Sequence, residues 1–215
     1  WDRLVMPGKT SQIFTQAIEL SGSTYILKDG VNRIAPGWQM NVPVPPDGGK
    51  EQIGISPNYD RIAYTADVLS HDTAWNTGWV IYETKVNPAT GEPTEIAKCL
   101  TCTQFPRIRT TNPVYNPLGG ALAFLAMDRP GFEADRLHLF LLTLDSSAPA
   151  VPLFDEIDRS VAEFAWMNDG KTIMAAWDED GEHRLYALST NTGQVQLVMR
   201  NGTYSSIQTS KATNH

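Results

Sequence analysis

The fold class predicted for this 215-residue chain is all-β: a partial β-propeller of three whole four-stranded blades, with a partial blade at each end. Three observations predict it. A turn phrase recurs as Ile55-Ser56-Pro57-Asn58-Tyr59-Asp60-Arg61-Ile62-Ala63-Tyr64, as Tyr115-Asn116-Pro117-Leu118-Gly119-Gly120-Ala121-Leu122-Ala123-Phe124 and as Trp166-Met167-Asn168-Asp169-Gly170-Lys171-Thr172-Ile173-Met174-Ala175, the copies starting 60 and then 51 residues apart. Each copy joins an apolar strand end to a tight Ser/Asn, Pro and Asp/Gly turn and then to a strand of alternating apolar residues. Helix signals are poor throughout.

Taken in order, with strands A to D running from the axis outward, residues 11–18 read as a C strand and 25–34 as its D strand, with Lys28-Asp29-Gly30 as a turn. The stretch Pro43-Val44-Pro45-Pro46-Asp47-Gly48-Gly49 reads as a connection, because proline cannot donate to a ladder. Whole blades follow at about 50–98, 108–154 and 160–199. Their C strands are 79–86, 136–144 and 183–188, and their short D strands are 94–97, 151–154 and 194–198. Residues 203–209 open a further blade. Strands alternate in direction within a blade, so the B-to-C loops 68–78, 128–135 and 178–182 gather on one face with the D-to-A connections, where a binding function belongs. An open arc leaves unpaired outer edges, and the chain begins at Trp1 without a Met, so 1–215 is expected to be one propeller domain fragment of a longer protein.

Seventeen Lys and Arg against 24 Asp and Glu give a net charge of −7, which argues against nucleic acid as a partner. No apolar run reaches the roughly 18 residues of a membrane span, and no signal peptide is visible. The two cysteines, Cys99 and Cys102, cannot close a tetrahedral zinc site. They leave open a local disulfide in an oxidising compartment, two free thiols, or redox chemistry. Asn201-Gly202-Thr203 is a glycosylation sequon and points the same way, towards a secreted or secretory/lysosomal setting.

Nucleophilic catalysis finds no support: the Gly-x-Ser-x-Gly elbow is absent and Ser56 occupies a repeat turn. His71, His138, His183 and His215 show no triad or metal spacing, and His138, inside a strand, reads as a satisfied structural residue. No phosphate loop, dinucleotide fingerprint, metal site or cofactor site is read. Two loops stand out. Arg129-Pro130-Gly131-Phe132-Glu133-Ala134-Asp135-Arg136 packs two carboxylates, two guanidiniums and an aromatic ring into eight residues. It is either a self-paired hairpin loop or a surface whose unpaired carboxylate holds a substrate ammonium. Asp72-Thr73-Ala74-Trp75-Asn76-Thr77-Gly78-Trp79 places Trp75 and Trp79 at a loop mouth, where they line a pocket or plug a blade seam. The run Asp178-Glu179-Asp180-Gly181-Glu182 lacks the later glutamate of a calcium loop and reads as a solvated hairpin with an Asp-Gly turn.

The sequence resembles the propeller domain of the prolyl oligopeptidase family of serine peptidases, and most closely its dipeptidyl-peptidase V-like members. The resemblance runs from about residue 10 to 200. It is carried by Ser56-Pro57-Asn58-Tyr59-Asp60-Arg61-Ile62-Ala63-Tyr64, Ala74-Trp75-Asn76-Thr77, Asn112-Pro113-Val114-Tyr115-Asn116-Pro117, Met127-Asp128-Arg129-Pro130-Gly131-Phe132-Glu133-Ala134-Asp135-Arg136, and Asp158-Arg159-Ser160 ahead of Phe164-Ala165-Trp166. Gly119-Gly120 and Asn58-Tyr59-Asp60 depart from the family's turn, altering turns rather than chemistry. The resemblance implies a propeller that caps an α/β-hydrolase domain of the same parent chain, filters peptide substrates and helps hold the peptide's N-terminus. It transfers no catalytic residue. The substrate-binding candidates are Glu133 and Asp135, with Arg129, Arg136 and Trp75 around them. A homodimer is allowed but not required. The alternative is a non-enzymatic propeller that binds protein or glycan on its loop face.

Overall fold

A computed structural model describes residues 10–45, 48–68 and 77–210. The N-terminal part contributes β1 (Phe14–Thr15), β2 (Ile18–Ser21), β3 (Thr24–Leu27), β4 (Asn32–Arg33) and β5 (Met40–Asn41). After a single 3-10 turn (Lys50–Gln52), blade I is β6 (Ile53–Ile55), β7 (Arg61–Val68), β8 (Val80–Lys85) and β9 (Lys98–Cys99). Blade II is β10 (Thr110–Tyr115), β11 (Ala121–Ala126), β12 (His138–Thr143) and β13 (Val151–Leu153). Blade III is β14 (Val161–Trp166), β15 (Thr172–Glu179), β16 (Glu182–Ser189) and β17 (Val195–Met199). Blades II and III are four-stranded antiparallel meanders in sequence order, while in blade I β7 pairs with both β6 and β5, so that sheet has five strands rather than the expected four. The partial propeller expected from the repeat is the fold observed.

The blades stack face to face, so most of their strands are buried on both sides and successive residues serve different cores. On β11, Leu122, Phe124 and Ala126 join Ala63 and Ile81 of blade I. Ala123 and Leu125 turn the other way and join Phe164, Trp166, Ile173 and Trp177 of blade III. On β7 and β8, Ile62, Tyr64, Ala66 and Tyr82 face the N-terminal segment, against Ile34, Met40 and Val42. Phe124 has no exposed surface and contacts both Phe105, edge-on, and Phe140, stacked. Each fully buried side chain of this size contributes about 1.5–3 kcal/mol of transfer free energy.

The recurring phrase forms the A-to-B turn, and each copy closes it with a different side chain. In blade I the Ser56 hydroxyl donates to Asp60 Oδ1 at 2.7 Å and accepts the amides of Asp60 and Arg61. In blade II Asn116 Oδ1 accepts the Leu118 amide while its Nδ2 donates to the Gly170 carbonyl of the next blade. In blade III Asp169 Oδ1 accepts the amides of Lys171 and Thr172, both at 2.8 Å. Ser56 is therefore a turn residue, wholly occupied by its own loop.

Four expectations need adjusting. The N-terminal ribbon turns at Gly22-Ser23, with Ile18 paired to Leu27 and Phe14 to Arg33, not at Lys28-Asp29-Gly30. The latter stretch is an irregularity between β3 and β4, where Gly30 takes φ +95°. The D strand of blade I is Lys98–Cys99 rather than 94–97, where the Thr94 amide donates to the Lys85 carbonyl at the end of β8 without forming a strand. The B-to-C connection of blade III is shorter than 178–182: Glu179 pairs with Glu182, and Asp180 and Gly181 take φ +53° and +79°, the two left-handed positions of a type I′ hairpin. Residues 203–209 form no strand, yet they lie along β14, where the amides of Ser206 and Ile207 donate to the Glu163 carboxylate.

Candidate functional site

The antiparallel order does bring the B-to-C loops and D-to-A connections of blades II and III to one face, as contacts between them show. Residues 127–137 leave the end of β11 and return into β12. Asp135 closes the loop. Its Oδ2 accepts the amides of Asp128 at 3.1 Å and Arg129 at 2.7 Å, and its Oδ1 meets the Arg129 guanidinium at 3.3 Å. Burial alone would raise this carboxyl. The Arg129 amide and guanidinium, with the amides of Arg136 and Asp128, outweigh burial and hold it below the ordinary carboxylate range. Gly131 supplies the left-handed position, φ +68°, that turns the chain.

The two candidate carboxylates are thus separated in role. Asp135 is buried and occupied within the loop; Glu133 is exposed and makes no ion pair or hydrogen bond among the described residues. Arg129 lies with its guanidinium carbon 4.3 Å from the Phe132 ring centroid, and Phe132 is itself 44% exposed. The outward surface of the loop is an aromatic ring and a free carboxylate, held from behind by an aspartate. That arrangement can accept a cation's N–H donors beside an apolar side chain.

Arg136 points away from Glu133, towards the connection leading to blade III. It donates to the Ile157 carbonyl at 2.8 Å and lies 3.4 Å from Asp158, 3.9 Å from Asp155 and 4.0 Å from Asp128. His138, at the start of β12, sits between Asp128 and Asp155. The neighbouring blade adds a second polar cluster on Glu179, which the sequence placed in a solvated hairpin but whose side chain is only 16% exposed and fully paired. Glu179 takes the Tyr186 hydroxyl, with Arg159 and Arg184 each 3.1 Å from its Oε1. The Tyr186 hydroxyl first, and then the two guanidiniums, hold the Glu179 carboxyl below its ordinary range. Arg184 reaches Glu179 diagonally across the hairpin, where Glu179 itself pairs with Glu182, and Arg159 comes from the connection after β13, which no local sequence signal joins to it.

Trp75 falls outside the described residues. Its companion Trp79 is half-buried under the Arg109 guanidinium, 3.9 Å from the ring centroid, and its carbonyl accepts the Thr110 amide. Cys99 and Cys102 are bonded, with the Cys102 amide donating to Cys99 Sγ. Asn201 is exposed. Of the histidines, His138 lies 2.8 Å from both Asp128 and Asp155 and His183 lies 3.0 Å from Asp178, while His71 and His215 lie outside the described residues. Among the described residues no group of three His, Cys, Asp or Glu is placed to hold a metal, and no helix is long and apolar enough to cross a membrane. A groove of about 650 Å³ at the rim between blades I and II, lined by Lys85, Lys98, Leu144 and Asp145, contains none of the candidate substrate-binding residues.

Fold and topology define a partial β-propeller, and comparison with known proteins says what it is similar to. No protein-family model matches the chain. It is 24% identical over 198 residues to dipeptidyl-peptidase 5 of Arthroderma otae, covering 89% of this chain and 26% of that protein. It is 28% identical over 180 residues to the probable dipeptidyl-peptidase 5 of Emericella nidulans, covering 81% and 24%. The chain thus spans about a quarter of the length of the curated relatives it matches. Among solved structures, the oligogalacturonate lyase of Vibrio parahaemolyticus aligns with a TM-score of 0.50 at 15% identity, over 81% of this chain and 46% of that one, a likeness of fold alone. The chain is a partial propeller similar in sequence to the dipeptidyl-peptidase 5 proteins.

Proposed function

We propose that this chain is the substrate-admitting propeller portion of a serine dipeptidyl peptidase that releases dipeptides from peptide N-termini. The bond-breaking Ser-His-Asp chemistry belongs to an α/β-hydrolase domain in the rest of the parent protein. One observation carries the reading: Glu133 stands exposed and, among the described residues, unpaired on a loop whose other carboxylate, Asp135, is committed to holding the loop's shape. A peptide's terminal ammonium supplies the donors Glu133 lacks, with Phe132 against the first side chain. Arg129 and Arg136 keep the loop in place rather than touching the peptide. The bonded Cys99–Cys102 pair fits an oxidising compartment, and so a secreted parent.

The test uses the full-length parent and dipeptidyl-coumarin substrates. Glu133→Gln is expected to raise KM about tenfold, the cost of one charge-assisted hydrogen bond, with the melting temperature unchanged. The 215-residue chain alone is expected to give no turnover. An unchanged KM in Glu133→Gln, or turnover that follows the purified chain, would overturn the proposal.

A further inference from the structure

His138 is the most enclosed titratable side chain on the loop face. Its side chain is 4% exposed, with Nε2 2.8 Å from Asp128 Oδ2 and Nδ1 2.8 Å from Asp155 Oδ1. Nε2 makes no directed hydrogen bond, so its contact with Asp128 is one of charge and proximity. The two aspartates belong to different segments. Asp128 opens the Glu133 loop, and Asp155 opens the connection from blade II to blade III. The remaining charged groups around them are Arg136, within 4.0 Å of both, and Asp158, 3.4 Å from Arg136. Three carboxylates therefore meet one guanidinium and one imidazole.

We propose that His138, as an imidazolium, is the positioning residue of the Glu133 loop, joining its first residue to the blade II–III connection. The cation attracts both carboxylates through its charge, each 2.8 Å from a ring nitrogen, although Nε2 is not aimed at Asp128. A neutral ring carries a single N–H, which leaves a lone pair facing a carboxylate oxygen at 2.8 Å on the other side. Loss of the proton therefore releases one of the two arms, and Arg136 alone spans the gap. Both carboxylates are more than half exposed, so the effect is a local one on the loop and the connection rather than on the blade. The consequence for substrate rests on the reading of Glu133 above; the fastening itself does not.

The experiment is NMR on the isotopically labelled 215-residue chain, following amide exchange at residues 128–136 and the His138 ring nitrogens through a pH titration. In the wild type the loop amides are expected to change in step with ring deprotonation. In His138→Gln their exchange should rise about tenfold and the step should vanish. Asp155→Asn, at an exposed carboxylate, should loosen the same amides, and its effect should be non-additive with His138→Gln. It also serves as the decisive variant should His138→Gln fail to fold. Loop exchange unaltered by either substitution, or a pH step that persists in His138→Gln, overturns the inference. Shifts induced by a free-N-terminus tripeptide separate the two claims. A loosened loop with peptide shifts indifferent to Glu133→Gln upholds the fastening and refutes the substrate reading. A rigid loop with peptide shifts lost in Glu133→Gln does the reverse.

Discussion

Asp67 on β7, paired across the ladder with Asn41, has no ion-pair partner among the described residues, and burial pushes its carboxyl from 3.8 up to about 6. Its folded value lies above its unfolded one, so the native state binds the extra proton. Stability from this group is present below the ordinary value, falls as pH rises through the window from 3.8 to about 6, and stays low above it. Asp67→Asn is expected to raise the melting temperature by a few degrees at pH 7.5 and to leave it unchanged at pH 3.5, as read by circular dichroism. An equal gain at both pH values would show that the cause is not titration. Asp67 also shows what composition conceals. Its carboxylate, like that of Asp135, looks in sequence like any surface acid, and only the packed chain decides which acid turns inward. That is why residues 129–136 were legible as a charged turn, while the division of labour between Glu133 and Asp135 was not.

At the level of elements, the blades were legible because each turn satisfies its own backbone locally. Ser56, Asn116 and Asp169 each accept amides within a few residues, so their chemistry is written in adjacent letters. The N-terminal ribbon was misplaced for the converse reason. Lys28-Asp29-Gly30 is the stronger local turn signal, but long-range pairing of Ile18 with Leu27 set the register instead. The Cys99–Cys102 segment is a further element with a measurable weight. The bridge closes a four-residue loop whose neighbours Thr101 and Phe105 are buried between blades I and II. A loop so short restricts the unfolded chain modestly, by about 2 kcal/mol. Cys99→Ser/Cys102→Ser is expected to lower the unfolding free energy by about that amount, read as a lower urea midpoint at a nearly unchanged m-value. A loss much larger than this would mean that the segment unpacks Phe105 when the bridge is absent.

Across the whole molecule, apolar contact between blades I and II is supplemented by one polar pin on the side opposite the loop face. Arg61 of β7 meets Glu83 of β8 at 3.3 Å and Asp145, beyond β12, at 2.6 Å, and the Tyr115 hydroxyl of β10 donates to Glu83 at 2.8 Å. The hydrogen bonds that Arg61 donates to Asp145 are the chief influence keeping Arg61 charged, and burial, then Glu83, pushes the Tyr115 phenol upward. Arg61→Leu leaves the Glu83 carboxylate buried without its cation, and a loss of about 3 kcal/mol is expected in chemical denaturation. Arg61→Leu/Glu83→Leu should recover part of that loss; a double variant no better than the single would show that Glu83 was never the problem.

The parity of β11 has an evolutionary corollary. Phe124 and Leu125 are covalent neighbours that answer to different cores. A bulky replacement at Phe124 can be accommodated only by trimming Phe105 or Phe140, whereas one at Leu125 must be met by Leu139 or by the blade III side. Even-numbered and odd-numbered sites along this ribbon are therefore free to drift in separate lineages of compensation, each blind to the substitutions next door.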